Sequence, residues 1–449
     1  MVVLQLIFTP LYLHFLGSQS YGLVGFYMSL LASLMFLDQA VSPLLMRELA
    51  RLSLDQNNEI EARNTLRTLE VLSAFTAVFL GCLLWILAPL ITSKWLSNGN
   101  FSPERLTHIM RLIGLTIVCQ WPTFLYNAGF VGLQRQEVAM RLRITLNTFQ
   151  WVGAALLLWL TNPRIEMFFY WQIFSLSLTT LVLRSELWRI TPSSLYKAVF
   201  EFDKFKSTWR FALGSLAVGI TGSILTQADK LLVAKYTSLE ELAGYTLCFL
   251  IASIVSAFIS QPINASLLPH FAALLVAGHK KRLAIEYHRW TQWVSLVAFP
   301  ISAILIFFPS VLVQIWLPHD SPVALTVIAL VPWISAGTLF NVIGTFPYVL
   351  QMAAGRTRLL LFKNICAIAL VLPALVYWLP KYGSIVGAGC WLAVNAAYYL
   401  IEAPIMHSQL MKGELRDWWL KDTLFPGILI TSLFFLSNFV FFRVGEGEF

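Results

Sequence analysis

The sequence is short of charged residues. Only 12% of its 449 residues are Asp, Glu, Lys or Arg, whereas 58% are hydrophobic and the mean hydropathy is +0.71. An average soluble domain is about 25% charged, so this composition excludes an ordinary soluble fold. Apolar runs of about 20 residues, the length of a helix that crosses a bilayer, recur from one end of the chain to the other. The composition therefore predicts an all-α polytopic membrane protein.

Motifs for catalysis and for cofactors are also missing. The chain contains no Walker sequence, no HExxH, no GxSxG and no metal-ligand cluster, and its five cysteines form no CxxC pair. A membrane glycan polymerase or glycosyltransferase would show a sizeable outward loop with catalytic residues, and the outward connections here are short. We therefore predict a protein that is not an enzyme and that uses no cofactor and no metal.

The apolar runs predict thirteen membrane spans. The first begins at Met1 without a basic segment or a cleavage site, which predicts a shortened first helix rather than a signal peptide. The spans are expected near residues 1–16, 21–45, 69–92, 110–132, 144–161, 167–183, 211–236, 244–275, 291–315, 326–352, 361–379, 385–407 and 423–442.

Lysine and arginine are distributed unevenly between the connections. Those that follow even-numbered spans, counted together with Lys363 at the start of the eleventh span, hold 23 of the 31 basic residues. Cytoplasmic connections carry the excess of Lys and Arg in membrane proteins, so these connections are assigned to the cytoplasm and the N-terminus lies inside. Because the topology accounts for most of the net charge of +8, the charge does not indicate nucleic-acid binding.

A repeat relates the two halves of the chain. Residues 36–43 (FLDQAVSP) recur 222 positions later as residues 258–265 (FISQPINA), and Gly22 pairs with Gly244 at the same spacing. Six spans precede the longest cytoplasmic connection and six follow it, so both halves enter the membrane in the same direction. Parallel repeats of this kind predict a two-lobed transporter with its site between the lobes. The predicted lobes are residues 1–208 and 209–407, with an additional transmembrane segment at 408–449.

Charged residues inside predicted spans are the first candidates for a functional site, because charge is costly in the bilayer and normally faces a cavity or a partner. Asp38 is either an ion-coupling or cavity-lining carboxylate or a group that caps or pairs with a neighbouring helix. Asp229 and Lys230 point about 100° apart on a helix, so we expect them not to neutralise each other and at least one to have a partner on another helix. Gln227 extends the polar stripe, which either faces a cavity or acts as a structural clamp.

The second copy of the repeat and the end of the second span add three candidates. Gln261 and Asn264 are polar residues of the second copy, in which Ser260 replaces Asp38. Arg47 lies where the second span reaches the cytoplasm, and it would either grip a phosphate or be an ordinary positive-inside residue.

Four segments resemble a known family. They are residues 9–23 (TPLYLHFLGSQSYGL), LDQA at 37–40 with RELA at 47–50, QADKLLV at 227–233, and LAGY at 242–245. They are similar to the polysaccharide-repeat flippases of the Wzx type, which belong to the multidrug, oligosaccharidyl-lipid and polysaccharide exporter superfamily. The resemblance covers almost the whole chain but consists of short, weakly specific motifs, and the odd number of spans departs from the family pattern.

The resemblance implies a V-shaped bundle of two six-helix lobes in the bacterial inner membrane. It implies that the protein moves an oligosaccharide linked to undecaprenyl pyrophosphate from the cytoplasmic to the outer leaflet. H⁺ or Na⁺ is the candidate coupling ion and a polysaccharide polymerase a candidate partner. Lys230 and Arg47 would contact the anion, and Asp38 and Asp229 would serve coupling or cavity shape. A multidrug antiporter of the same superfamily and a peptidoglycan-precursor flippase remain alternatives.

Overall fold

The computed structural model describes residues 2–52, 59–96, 99–192, 196–317 and 321–445. Side chains are described throughout these ranges except at positions 40, 202–218, 357 and 438–445. Within them the chain is helical and contains no strand, so the expected all-α fold is confirmed. Residues 446–449, at the end of the predicted additional segment, lie outside the described part.

The helices fall into two compact units, Val3–Leu239 and Glu240–Phe449. The first unit contains nine α-helices within its described residues. They are α1 (Val2–Leu16), α2 (Ser18–Leu34), α3 (Ser42–Leu52), α4 (Glu59–Lys94), α5 (Pro103–Gln120), α6 (Pro122–Gly132), α7 (Gln136–Leu160), α8 (Ile165–Ile190) and α9 (Phe202–Tyr236), with a 3₁₀ segment at Met35–Ala40.

The second unit continues with α10 to α19 and includes three π-helical segments. The α-helices are α10 (Leu239–Val255), α11 (Gln261–Val276), α12 (Lys280–Phe307), α13 (Pro309–Trp316), α14 (Pro322–Ala353), α15 (Thr357–Tyr382), α16 (Ile385–Ala397), α17 (Ala403–Leu410), α18 (Leu415–Asp417) and α19 (Phe425–Gly445). The π segments are Ser256–Ser260, Tyr398–Glu402 and Trp418–Leu424.

Each of the thirteen predicted spans coincides with helix. Ten helical segments of the described chain are long and apolar enough to cross a membrane, and α1 is a shorter apolar helix. The structure thus describes a multi-pass membrane protein. Several helix starts follow directly from the sequence: Ser102 accepts a hydrogen bond from the Arg105 amide (3.3 Å) just before Pro103, which occupies the first turn of α5.

Helix α9 packs against α2 and the 3₁₀ segment, inside the first unit. The predicted second lobe, which starts at residue 209, includes most of this helix. The two helices run antiparallel, because a Cβ on Gly22 would lie 2.0 Å from the Leu239 carbonyl oxygen, while Gly219 approaches the Cβ of Phe36 at the opposite end of α2. Gly22 therefore permits the close approach of the chain just after α9.

Gly244, which pairs with Gly22 in the repeat, also permits a close approach in the second unit. A Cβ on Gly244 would lie 2.6 Å from the Thr326 side chain, which belongs to α14. The core of this unit is a continuous set of buried side chains from α10, α11, α12, α14, α17 and the three π segments, with Phe271, Tyr287, Phe346 and Trp418 among the largest. The core of the first unit gathers α3, α4, α6, α7 and α8 around buried Leu45, Leu66 and Phe130.

Candidate functional site

The first copy of the repeat interrupts its helix. Residues Met35–Ala40 form a 3₁₀ segment, in which the Val41 amide donates to the Asp38 carbonyl at 3.0 Å. Pro43 has no amide hydrogen to continue the α-helical ladder, which is a sufficient reason for a break at this point. The carboxylate of Asp38 is buried and accepts a hydrogen bond from the Ser42 hydroxyl at 2.6 Å. Asp38 thus has a local partner rather than a basic one among the described contacts.

The second copy also interrupts its helix, but with a segment wider than an α-helix rather than a narrower one. Residues Ser256–Ser260 form a π segment, which is wider than an α-helix, and Pro262 follows in the first turn of α11. The Ser260 hydroxyl, which stands where the first copy has Asp38, is buried and accepts a hydrogen bond from Thr345 (3.2 Å) on α14. Gln261 is exposed and Asn264 is half-buried.

Asp229 and Lys230 form an ion pair on α9. The Lys230 Nζ lies 3.5 Å from Asp229 Oδ1 and donates to the Thr226 carbonyl at 2.7 Å. The expectation that adjacent side chains would not neutralise each other is wrong, because the flexible four-carbon stem of lysine folds back along the helix. Both side chains are largely shielded, with 13% of Lys230 and 10% of Asp229 exposed, and Gln227 beside them is half-buried.

Arg47 belongs to an exposed ionic network on α3. Its Nη2 donates to Glu48 Oε1 at 2.8 Å, while Arg51 bridges Glu48 (3.1 Å) and Glu61 (3.0 Å). Partial burial opposes the ionised form of Glu48, but hydrogen bonds from both arginines hold the pKa of its carboxyl below the usual value. The Arg47 side chain is 58% exposed, so it is at the surface and engaged with a carboxylate.

The structure brings some of these residues onto one pair of helices. Asp38 lies beside the point where Gly219 of α9 contacts Phe36 and Gln39. Asp229 and Lys230 follow ten and eleven residues later on α9, about 15 Å away by helical rise. The Trp95 indole donates to the Leu231 carbonyl at 3.0 Å and fixes this part of α9 to the end of α4. The α2–α9 pair therefore carries two separate polar groups, one at Asp38 and one at Asp229 and Lys230. Gln261 and Asn264 belong to the other compact unit.

Three buried charged centres were not among the candidates. The first surrounds Glu70 of α4, which accepts hydrogen bonds from Arg67 (2.9 Å), Tyr126 (2.9 Å), Trp188 (3.4 Å) and Arg184 (2.5 Å). These donors come from α4, α6 and α8, so one carboxylate ties three helices together.

The second centre surrounds Glu402, in the π segment between α16 and α17. Its two oxygens accept from Lys363 Nζ of α15 (2.5 Å) and from Gln351 Nε2 of α14 (2.7 Å). The ammonium of Lys363 also lies 4.2 Å from the ring centre of Tyr398. An acidic residue inside a predicted span is the signal that selected Asp38, and the same signal could have found Glu402.

The third centre joins α12 to the segment around α18. His288 contacts the buried Asp422 carboxylate through Nδ1 and Glu414 through Nε2 (3.1 Å), and Gln292 donates to Asp422 at 2.8 Å. Residues 414 and 422 are more than a hundred positions from His288, so no local pattern marks this centre. Across the described residues, no group of three or more His, Cys, Asp and Glu side chains is arranged to hold a metal ion.

The fold defines the class of protein. It matches that of a multidrug resistance MATE family transporter of the MOP superfamily in an inward-facing conformation, with a TM-score of 0.75 and 12% identity over 91% of this chain and 95% of that one. It also matches the lipid II flippase MurJ in an inward closed conformation, with a TM-score of 0.71 and 12% identity over 98% and 97% of the two chains. A MOP superfamily transporter from Pyrococcus furiosus matches with a TM-score of 0.59, 11% identity and coverage of 91% and 95%. The chain is a multi-pass membrane protein with the fold of MOP-superfamily transporters.

The sequence then defines the family. The profile of the family described as "Polysaccharide biosynthesis protein" matches residues 14–320, which is more than half of the chain. The protein therefore belongs to the polysaccharide biosynthesis protein family, and the resemblance to polysaccharide exporters of this superfamily is confirmed. No curated protein matches the chain significantly.

Proposed function

We propose that the protein is a flippase that moves lipid-linked oligosaccharide repeat units across the bacterial inner membrane during the synthesis of a surface polysaccharide. The observation that carries this proposal is the match to the polysaccharide biosynthesis family over residues 14–320. The MOP transporter fold supports movement of a substrate through the membrane rather than bond-making chemistry. The substrate is an oligosaccharide on a polyprenyl pyrophosphate.

The polar groups of the α2–α9 pair support a role in handling that head group. In this proposal Lys230 contacts the pyrophosphate, and the ion pair with Asp229 opens when the anion competes for the ammonium. Asp38, buried with a neutral hydroxyl as its described partner, serves coupling to H⁺ or Na⁺. Arg47 contacts the anion from the exposed end of α3, and Gln227, Gln261 and Asn264 offer hydrogen bonds to sugar hydroxyls.

The topology belongs to the same proposal. The basic residues of the alternate connections support a cytoplasmic N-terminus. Lobes at 1–208 and 209–407, followed by a further segment at 408–449, remain the proposed organisation for transport. A polysaccharide polymerase is the proposed partner, because it would consume the repeat units delivered to the outer leaflet.

Two other functions have specific support. The fold match to a multidrug resistance transporter favours an ion-coupled drug antiporter, and the match to the lipid II flippase favours a peptidoglycan-precursor flippase. Deletion of the gene separates the three. Loss of surface glycan with accumulation of an unpolymerised lipid-linked repeat unit supports the proposal. Altered drug tolerance with normal glycan supports the antiporter, and lethality supports the precursor flippase.

Complementation of the deletion strain tests the residues. Lys230→Ala is expected to reduce surface glycan strongly, while Lys230→Arg retains much of it because the cation is kept. Lys235→Ala is the control on the same helix, where the ammonium stacks on Trp95 at 4.7 Å. Arg47→Ala is compared in the same way with Arg51→Ala, its neighbour in the network. Normal glycan in Lys230→Ala and Arg47→Ala strains that contain properly inserted protein would contradict the anion-site assignment.

A further inference from the structure

A long apolar groove runs between α15 and the helical segments from α16 to α17 in the second unit. Its volume is about 940 Å³, within the range of small-molecule sites. Only 11% of the most apolar stretch of α15 is buried inside the protein, and the groove-lining side chains of Leu370 and Ile401 are 74% and 61% exposed. In a membrane-spanning chain such a groove is open to the lipid phase.

The groove follows one continuous stripe on each wall. On α15 the lining includes Leu359, Lys363, Cys366, Leu370 and Tyr377, and on the opposite wall it passes from residue 390 to residue 405. Spacings of three and four residues keep these positions on one face of a helix. From Leu359 to the last lining residue of α15, at position 378, the stripe extends about 28 Å by helical rise. This length is close to the thickness of the hydrocarbon core, about 30 Å.

The length of the groove favours an occupant with one long chain. A phospholipid chain reaches only to the middle of the bilayer, about 15 Å from either surface. A phospholipid chain would therefore fill only the half of the groove that lies in its own leaflet. A polyisoprenoid chain that exceeds the thickness of one leaflet can follow the apolar stripe from end to end.

One end of the groove carries a cation. Arg356 occupies the N-cap position of α15, three residues before the first lining residue, Leu359. Its Nη1 donates to Gln409 of α17 at 2.6 Å, and Gln409 lies four residues after the lining residue Ile405. Arg356 is exposed, and this bond places its guanidinium beyond the end of both walls, with donors besides the one that Gln409 accepts. Paired guanidinium donors match phosphate oxygens.

The charges further inside the groove are already compensated. Lys363 and Glu402 both line it, but they are paired with each other, and Gln351 occupies the second carboxylate oxygen. The wall therefore presents no net charge to an incoming lipid. A phosphate is attracted to the mouth, at Arg356, and an apolar chain to the interior.

We propose that this groove seats the polyisoprenoid chain of a phosphate-headed lipid, with the phosphate held at Arg356. The inference rests on the proposed function in identifying this lipid as the carrier of the transported saccharide. By the distribution of basic residues Arg356 lies at the cytoplasmic end, which is the leaflet where such a carrier would be loaded. The groove is thus a docking site for the chain within the second unit, whereas the polar residues of α2 and α9 belong to the first unit.

Photo-crosslinking tests the proposal on the purified full-length protein in nanodiscs of phosphatidylethanolamine and phosphatidylglycerol. The probe is undecaprenyl phosphate with a diazirine in its chain, and the crosslinked peptides are identified by mass spectrometry. Crosslinks are expected on both walls of the groove. Ile401→Trp fills the groove and should lower the crosslinking affinity about tenfold, the effect of displacing roughly two methylenes. Leu400→Trp is the matched control, since Leu400 is adjacent, 60% exposed and off the groove.

The phosphate contact is tested in the same assay. Arg356→Gln should weaken binding of the probe by about tenfold, while Arg356→Lys retains part of the affinity. Arg416→Gln, an exposed arginine of α18, should have no effect. Equal affinity of Arg356→Gln and the parent protein would overturn the assignment of the phosphate.

Three results would overturn the proposal for the chain. They are crosslinks outside the groove, equal losses in Ile401→Trp and Leu400→Trp, and competition by phosphatidylglycerol or by geranyl phosphate as effective as that by unlabelled undecaprenyl phosphate. The assay requires no transport, so it is independent of the deletion strain. Groove crosslinks together with normal glycan in that strain would refute the proposed function but not the site. Accumulated repeat units without groove crosslinks would refute the site alone.

Discussion

Glu70 in the first unit and Glu402 in the second are both buried carboxylates, but they are stabilised in different ways. Glu70 accepts from four side chains, two of them arginines. Glu402 accepts from one lysine and one neutral amide, and it lines an open groove. The comparison indicates that several donors together stabilise the charge of Glu70, whereas the charge of Glu402 is compensated by a single cation. A buried charge that loses its only counter-ion is far more costly than one that loses a partner among several.

The largest effect is expected from Lys363→Met. It leaves the buried Glu402 with Gln351 as its described donor and should lower the free energy of unfolding by about 3 kcal/mol. Thermal or urea-induced unfolding of the purified protein in detergent measures the loss. Lys381→Met, which removes an exposed cation from the same helix, should change stability little. Similar losses in the two variants would contradict the dependence of Glu402 on Lys363.

The double variant Lys363→Met with Glu402→Gln should recover most of that stability. Removing both charges leaves no uncompensated ion, and the glutamine can still contact Gln351. The recovery corresponds to a coupling of about 1–3 kcal/mol in a double-mutant cycle. Additive losses in the two single variants, with no recovery, would show that the pair does not act as a unit.

A smaller effect is expected from Arg184→Met in the first unit. Glu70 retains Arg67, Tyr126 and Trp188, so the cost should be about 1.5 kcal/mol, the value of one hydrogen bond to a charged group. Arg189→Met on the same helix removes a cation that is 74% exposed and provides the control. If Arg184→Met lowered the free energy of unfolding as much as Lys363→Met, then Glu70 would depend on one counter-ion just as Glu402 does.

The smallest effect is expected at Asp38, whose described side-chain partner is a neutral hydroxyl. Ser42→Ala should lower stability by about 1 kcal/mol, and Ser42→Thr should preserve it because the hydroxyl is kept. Unfolding measurements on both variants check the difference. A loss of several kcal/mol on Ser42→Ala would indicate that Asp38 is held as firmly as Glu70, and would argue against a mobile role in coupling.

Local features of the sequence were sufficient to predict the helices. Apolar runs predicted where the helices lie, since a helix that crosses a bilayer needs about 20 apolar residues. Pro43 and Pro262 stand beside the two segments where the repeat departs from α-helical geometry. The contrast between a 3₁₀ and a π segment was not predictable, because it depends on packing of each segment against α9 and α14, respectively.

The candidate site was predicted only in part. Asp38, Asp229 and Lys230 are shielded from solvent, and the sequence did not predict the ion pair on α9. The count of basic residues places Lys363 with the cytoplasmic connections, whereas the structure places it on α15 against Glu402. The position of a charge within a helix does not reveal which neighbouring helix supplies its partner.

By itself the sequence determined the membrane class, the helical fold, the duplicated frame and the family, because all four follow from composition, periodicity and local motifs. Only the tertiary structure decided which charges are paired and where an apolar groove remains between helices. His288 meets Asp422 across 134 positions, and Glu70 meets Arg184 across 114. Such contacts arise from helix packing, which depends on the shapes of both partners and leaves no pattern in either helix alone.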